Sequence, residues 1–429
     1  MKKYTCIDLF AGCGGFSLGL KNAGIKPIWA NEIDEDAAKT YAYNLGNHII
    51  CDDIRNIDTT EIPSADILVG GFPCQPFSLS GLQKGFSGKD GDLFYQCTRL
   101  IANLKPKVFL LENVPGFARL QKGKFLSKSV ETLESLGYVV DYEILNSANY
   151  GVAQERKRLF IMGNNLGKEN VFPKKTNSYI TVKEAIDDIR HNMDSFENNI
   201  PMRHTERIKK RFSAVKQGET ARDAMDRDPS LGTAKITKQC YRRMYEDKPA
   251  PTIVANFVTT TIHYCENRNL TAREAARVQS FPDNFIFQGR KTRMSWQKGL
   301  SQFEQIGNAV PPKLITSIGE CLIKIIEGKT GESKRVKTIQ TKLFEVTPFS
   351  PVNGVNNNND NNRGRKSKYE KIYQAIETTK TGEKIIIQNE VDSNFETFLE
   401  GAMRRRRIKY NLTKERNTIV IEIISNGNK

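Results

Sequence analysis

Histidine is scarce in this 429-residue chain, with only four, and its eight cysteines are scattered without a single Cys-x-x-Cys pair. Neither a zinc framework nor a disulfide scaffold is indicated, and no metal is expected. No apolar stretch approaches the eighteen residues of a membrane-spanning helix, and Met1-Lys2-Lys3 runs straight into a strand-like segment. A cytoplasmic, reducing location is expected, where a cysteine remains a thiol. Acid is also in short supply: 49 Asp+Glu against 65 Lys+Arg leave a formal charge of +16. That surplus fits a phosphate-backbone partner, although RNA or an acidic membrane surface would draw the same charge. The turn Gly12-Cys13-Gly14-Gly15 has neither the dinucleotide spacing Gly-x-Gly-x-x-Gly nor a Walker lysine, so it fits a phosphate cradle poorly.

What the chain does have is a series of short apolar runs, each ending in chemistry. Ala65–Val69 reads as a buried parallel strand, followed by Gly-Gly-Phe-Pro-Cys-Gln-Pro-Phe-Ser over residues 70–78. Pro73 and Pro76 fix φ on either side of Cys74, so its thiol sits on a stiff elbow. A lone cysteine is otherwise most often a small buried hydrophobe. Thr5–Leu9 runs into the glycine turn and a helix from Phe16 to about Ala23, letting a ligand approach the backbone closely. Glu32 follows about twenty residues on, where an acid can take a ribose hydroxyl pair, and Asp52-Asp53-Ile54 can offer a carboxylate to an adenine amino group. Taken singly these are a plain turn and solvated acids; in this order they describe a nucleoside pocket. Lys107–Leu111 is another strand, ending in Glu112-Asn113-Val114-Pro115-Gly116. Gln154, Arg156 and Arg158 alternate ahead of the strand Leu159–Gly163, so an extended backbone puts all three on one face.

These residues resemble the DNA (cytosine-5)-methyltransferases of bacterial restriction–modification systems. The matching blocks are Asp8–Gly19, Asn31–Asp34, Asp53-Ile54, Gly70–Ser78, Glu112–Val114, Gln154–Arg158, Arg273–Asp283 and Gln305–Pro312, in the family's order across residues 4 to about 327. Asp90 stands where the family often has arginine, and His263-Tyr264-Cys265 lacks a proline common after that histidine.

The resemblance implies transfer of a methyl group from S-adenosyl-L-methionine to C5 of a cytosine flipped out of double-stranded DNA. C5 is too weak a nucleophile to attack a methylsulfonium, and addition of a thiolate at C6 raises electron density there. Cys74 fits that nucleophile. Glu112 fits the group that protonates or shares a proton with N3, if burial keeps its carboxyl protonated. Arg158 is implied to contact O2, with Arg156 and Gln154 steadying the loop. Phe10, Gly12, Gly14, Glu32, Asp53, Ile54, Pro73 and Asn308 are implied to line the cofactor site. A companion restriction endonuclease would act on the same DNA site without having to bind this chain, which is expected to be a monomer. A tRNA methyltransferase is an alternative with similar pieces, but its Cys-Phe-Thr tripeptide is absent; a silent DNA-binding regulator is disfavoured by intact Cys74, Glu112 and Arg158.

The expected fold is a doubly wound, mostly parallel α/β sheet over residues 1–168, with a smaller target-recognition domain at 169–294 and a return to the sheet at 295–332. Residues 203–248 hold thirteen Lys+Arg and seven Asp+Glu, and Pro251–Ala255 and Thr259–Ile262 look like strands and loops facing the major groove. Ser78–Leu93, rich in Gly and Ser, is a candidate lid. Residues 333–366 read as an asparagine-rich linker, and 367–429 as a small α+β module. In that module Tyr369–Thr379 and Phe395–Arg406 read as helices, Lys384–Ile387 as a strand, and Ile408–Leu412 with Thr418–Ile424 as a hairpin. Its fifteen Lys+Arg against nine Asp+Glu, with Arg404–Arg407 contiguous, suit an auxiliary contact to the DNA backbone. No nuclease pattern is present in it.

Overall fold

The computed structural model describes residues 4–73, 91–176, 178–232, 240–292 and 297–331, together with the backbone of three later strands. The chain divides into two compact units, Met1–Leu133 with Tyr138–Arg335 and Glu134–Gly137 with Val336–Lys429.

The first unit alternates strand and helix: β1 (Thr5–Leu9), α1 (Gly15–Asn22), β2 (Lys26–Glu32), α2 (Glu35–Leu45), β3 (Ile49–Cys51), β4 (Ile67–Gly71), α3 (Gly91–Leu104), β5 (Val108–Asn113), α4 (Lys124–Ser135), β6 (Val139–Asn146) and β7 (Lys157–Asn164). The strands form one sheet in the order β3-β2-β1-β4-β5-β7-β6. All neighbours are parallel except β7, which runs antiparallel to both β5 and β6.

The central strands are almost wholly apolar because both faces of the sheet are covered. Ile7, Leu9, Leu68, Phe109 and Leu111 pack one way against Phe94, Leu100, Phe125 and Leu133 of α3 and α4. Cys6, Ile67, Val69, Val108 and Leu110 pack the other way against Phe16 and Leu20 of α1 and against Leu314, Ile318 and Leu322. Strand order reverses between β1 and β4. The crevice outside the carboxyl ends of those two strands is where such sheets bind ligands.

The chain then continues through α5 (Val182–Arg190), α6 (Glu206–Ser213), α7 (Ala221–Arg227), β8 (Arg242–Arg243), β9 (Thr261–Ile262) and α8 (Ala272–Val278). It returns through α9 (Gln302–Asn308) and α10 (Pro312–Ile326), and α10 lies along α1. Among the described residues secondary structure is sparse between α7 and α8. Of the expected strands and loops, Pro251–Val254 is irregular, and Thr261 and Ile262 of the second segment pair with Arg242 and Arg243. Side chains do the work of a ladder there. Arg243 is 6% exposed and spends all five of its N–H donors on the carbonyls of Val215, His263, Glu266 and Phe212 and on Asn267 Oδ1. Four of these helices, α5, α7, α8 and α9, begin with reciprocal caps, Thr181/Glu184, Thr220/Asp223, Thr271/Glu274 and Ser301/Glu304, each satisfying two otherwise orphaned N–H groups.

The second unit carries an antiparallel sheet of β10 (Lys384–Gln388), β11 (Lys409–Glu415) and β12 (Thr418–Ser425) in the order β10-β12-β11. Glu415 pairs with Thr418, so β11 and β12 form the expected hairpin. The linker and the two helices expected in this unit lie outside the described residues.

Candidate active site

Cys74 lies outside the described residues, as does most of the expected lid; from Gly91 that segment is already α3. The ground around the cysteine is well defined. Gly71, the last residue of β4, pairs with Glu112 on β5, so the elbow departs from the rung that holds the glutamate. A Cβ on Gly71 would come within 3.3 Å of Glu112 Oε2. Asn113 Nδ2 donates to the carbonyl of Phe72 at 3.1 Å, and Asn113 Oδ1 accepts from Val114 N at 2.8 Å. The Glu-Asn-Val tripeptide thereby grips the backbone just ahead of Pro73 and Cys74. Pro73 itself is exposed.

Glu112 is 9% exposed and its Oε1 takes an ion pair from Arg158 Nε at 2.9 Å. Burial pushes its carboxyl above the usual range, while Arg158 and Arg156 pull it back; the net direction is up. Burial also lowers Arg158.

Gln154, Arg156 and Arg158 do point to one side. Gln154 and Arg156 are buried and Arg158 half-buried, while Glu155 and Lys157 between them are exposed. Arg156 donates to the carbonyls of Ile253 at 2.8 Å and Gly307 at 2.9 Å, and burial brings its pKa down to about 9. It braces the strand from behind rather than facing a substrate.

The cofactor candidates gather at the ends of β1 and β2. Phe10 and Gly12 have φ of 54° and 55°, and Gly14 has φ of 102°, so the turn is left-handed three times in five residues. A Cβ on Gly14 would meet Leu45 at 2.4 Å, whereas one on Gly12 would meet nothing within 4 Å. Gly12 therefore faces open space at the crevice. Glu32 closes the turn: its Oε2 accepts from Gly12 N at 2.8 Å, and its Oε1 accepts from Ile33 N and Asp34 N at 3.0 and 2.9 Å. A carboxylate offers about four acceptor sites, so roughly one remains for a ligand hydroxyl. Burial raises Glu32 and these N–H donors oppose it. Asp53 follows β3, with both carboxylate oxygens held by Arg55 Nε at 2.9 and 3.1 Å, and Ile54 beside it is buried. Asn308 ends α9 with its side chain exposed. Its turn lies against the glycine turn, since a Cβ on Gly15 would strike the carbonyl of Val310 at 2.5 Å.

Sequence reasoning assigned no role to Asp8, Ser17 or Tyr41. Asp8 is fully buried in mid-strand, and its Oδ2 accepts from Ser17 N at 3.1 Å and Ser17 Oγ at 2.7 Å. Ser17 Oγ is 2.8 Å from Tyr41 OH, which is 3.0 Å from His48 Nε2. This chain ties β1, α1 and α2 together beneath the crevice. Burial raises the Asp8 carboxyl to about 7. The available signal was an aspartate inside an otherwise apolar strand.

Among the described residues no cluster of three or more His, Cys, Asp or Glu could hold a metal, and no helix is long and apolar enough to cross a membrane. The model of the family described as C-5 cytosine-specific DNA methylase matches residues 4–324. The Type II methyltransferase M.DdeI of Desulfomicrobium norvegicum is 37% identical over 362 residues, covering 73% of this chain and 87% of the relative. M.NgoFVII of Neisseria gonorrhoeae is 34% identical over 338 residues, covering 75% and 87%. Among solved structures, a chain encoded in an E. coli prophage gives a TM-score of 0.60 at 24% identity, over 76% of this chain and 100% of that one. The Entamoeba histolytica methyltransferase EhMeth gives 0.54 at 16%, over 76% and 99%. This chain belongs to the C-5 cytosine-specific DNA methylase family, and it is an S-adenosyl-L-methionine-dependent DNA (cytosine-5)-methyltransferase.

Proposed function

We propose that this enzyme methylates one specific double-stranded DNA sequence through Cys74, Glu112 and Arg158, as the modification partner of a restriction endonuclease. The observation that carries the assignment of residues is the Glu112–Arg158 pair, buried at the sheet edge on the rung from which the Cys74 elbow departs. The names of the Type II relatives support the modification role.

The Cys74 thiolate adds to C6 of the flipped cytosine, and the electron density arriving in the ring is met at N3 by the proton on Glu112. Arg158, anchored by Glu112, offers its remaining N–H groups to O2. S-adenosyl-L-methionine supplies the electrophilic methyl group when bound. The open face at Gly12, the spare acceptor site on Glu32 and the exposed Asn308 amide suit a nucleoside with a short polar tail, and Phe10, Gly14, Ile54 and Pro73 shape the rest of the crevice. Asp53 reaches an adenine amino group only if it shares its carboxylate with Arg55. Removal of the C5 proton then lets the thiolate leave.

Residues 169–294 select the target sequence, and the enzyme works as a cytoplasmic monomer without forming a complex with its endonuclease. The test is Cys74→Ser, because a serine alkoxide is far less available than a thiolate at neutral pH. Tritium transfer to DNA should vanish while S-adenosyl-L-methionine still binds; activity above about a hundredth of wild type would remove Cys74 as nucleophile.

A further inference from the structure

Gln279, the residue that caps the carboxyl end of α8, is completely buried and uses both ends of its amide. Its Oε1 accepts from Gln154 Nε2 at 2.9 Å, and its Nε2 donates to the carbonyl of Ile306 at 2.7 Å and of Ala309 at 3.4 Å. Gln154 Oε1 in turn accepts from Ile253 N at 2.8 Å. The Ile253 carbonyl is bound by Arg156, whose other nitrogen holds the Gly307 carbonyl. The ring of contacts closes: Gln279, Gln154, Ile253, Arg156, Gly307, Ile306 and back to Gln279.

Two functional segments meet on this ring. One is Gln154–Arg158, which delivers Arg158 to Glu112. The other is the turn at the end of α9, where carbonyls 306, 307 and 309 are all held and only Asn308 is left facing outward. The fit is tight, since a Cβ on Gly307 would lie 2.3 Å from the Val254 carbonyl carbon. Hydrophobic packing alone would not require an amide here; an acceptor toward Gln154 and a donor toward Ile306 are needed at once, and only Gln among side chains of this length supplies both without charge.

We propose that Gln279 is a positioning residue for methyl transfer, setting the Asn308 turn of the cofactor site and the Arg158 strand of the cytosine site in a single register. It touches neither ligand. The inference rests on the proposed roles of Asn308 and Arg158.

Two substitutions separate this role from a merely structural one. Gln279→Ala removes both hydrogen-bonding ends, and about a tenfold loss of S-adenosyl-L-methionine affinity together with a tenfold or greater slowing of single-turnover transfer is expected, with DNA affinity within about twofold. Gln279→Glu keeps the acceptor but sets a carboxylate against the Ile306 and Ala309 carbonyls. Burial raises that carboxyl, so its protonated form regains the donor as pH falls. The rate of this variant relative to wild type should therefore rise from about pH 8.5 to about pH 6, while the alanine ratio stays flat. Gln279→Ala and Asn308→Ala should also be non-additive in cofactor affinity. Loss of stability without change in cofactor affinity or transfer rate, a flat ratio for the glutamate variant, or additive effects with Asn308→Ala would each overturn the proposal. If Arg158→Met and Asn308→Ala prove silent, the assigned site itself is wrong; if they are impaired and Gln279 variants are not, only the coupling fails.

Discussion

Arg158 at the carboxyl edge of the sheet and Arg243 in the strand-poor region between α7 and α8 are both withdrawn from water, yet they serve opposite ends. Arg158 is ion-paired through Nε to a buried glutamate whose strand is already fixed by its ladder. Among the described residues it makes one further hydrogen bond, from Nη1 to the Lys157 carbonyl. Arg243 has nothing left to offer, because all five donors hold loop carbonyls and one asparagine. Arg273 behaves likewise, donating to the carbonyls of Glu197, Pro282 and Phe285. Where a sheet supplies rigidity, a buried cation need not spend every donor on the backbone; where strands are two residues long, cations become the scaffold. The net charge of residues 203–248 therefore overstates the positive charge left unengaged there. Arg211, Arg222, Arg227, Lys209 and Arg242 are also engaged internally. Arg203, Arg207 and Lys210 are exposed, with no ion pair among the described residues.

The contrast breaks first at the sheet edge. Glu112→Gln and Arg158→Met should each slow single-turnover transfer by about 10²–10³-fold, since a positioned proton donor contributes on that order, with little change in melting temperature. Arg243→Met should do the reverse. Leaving several buried carbonyls unpaired costs about 3 kcal/mol or more, read as a lower denaturation midpoint, and any surviving folded enzyme should transfer methyl at the normal rate once DNA is saturating. If Arg243→Met folds normally but loses DNA binding, its inward role is wrong.

A smaller effect sharpens the DNA side. Replacing Arg203, Arg207 and Lys210 together by serine should shallow the slope of log affinity against log salt by up to about 0.9 for each phosphate no longer neutralised. An unchanged slope would place the backbone-binding cations elsewhere.

Much of the sheet edge was legible because its signals are local. Apolar runs stopped by glycine marked β4 and β5, and the alternation of Gln154, Arg156 and Arg158 gave the correct common face. What escaped the sequence depends on partners far along the chain. Nothing near Arg243 says that its donors will find carbonyls from residues 212 to 266, and nothing near Glu32 says that three backbone N–H groups will share it. Pro251–Val254 has strand-like composition but lies against α9's end, where its backbone serves Gln154 and Arg156 instead of a ladder. An acid in an apolar strand marks Asp8 as unusual without saying why. Its meaning lies in Ser17 of α1, which bonds it directly, and in Tyr41 of α2, which is linked to it through Ser17.

Asp8 also supplies the subtlest expected effect, one of stability and not of rate. Its folded pKa is about 7, well above the unfolded 3.8, so the folded protein retains a proton that the unfolded chain releases. Its stabilising contribution is full below the unfolded value and is lost as pH rises through about 7. Asp8→Asn, which can still accept from Ser17, should therefore gain stability relative to wild type as pH climbs across that window. A difference between the two that is independent of pH would mean Asp8 is ionised throughout.

The central claim is that Cys74, three residues along the chain from the Gly71–Glu112 rung, attacks C6 of the target cytosine. Duplex DNA carrying 5-fluorocytosine at the methylated position cannot lose its C5 substituent as a proton, so the attacking residue stays bonded to the base. Incubation with S-adenosyl-L-methionine, denaturing electrophoresis and mass mapping of the DNA-linked peptide should return one adduct, on Cys74. No DNA-linked band, or an adduct on any other residue, would contradict the account.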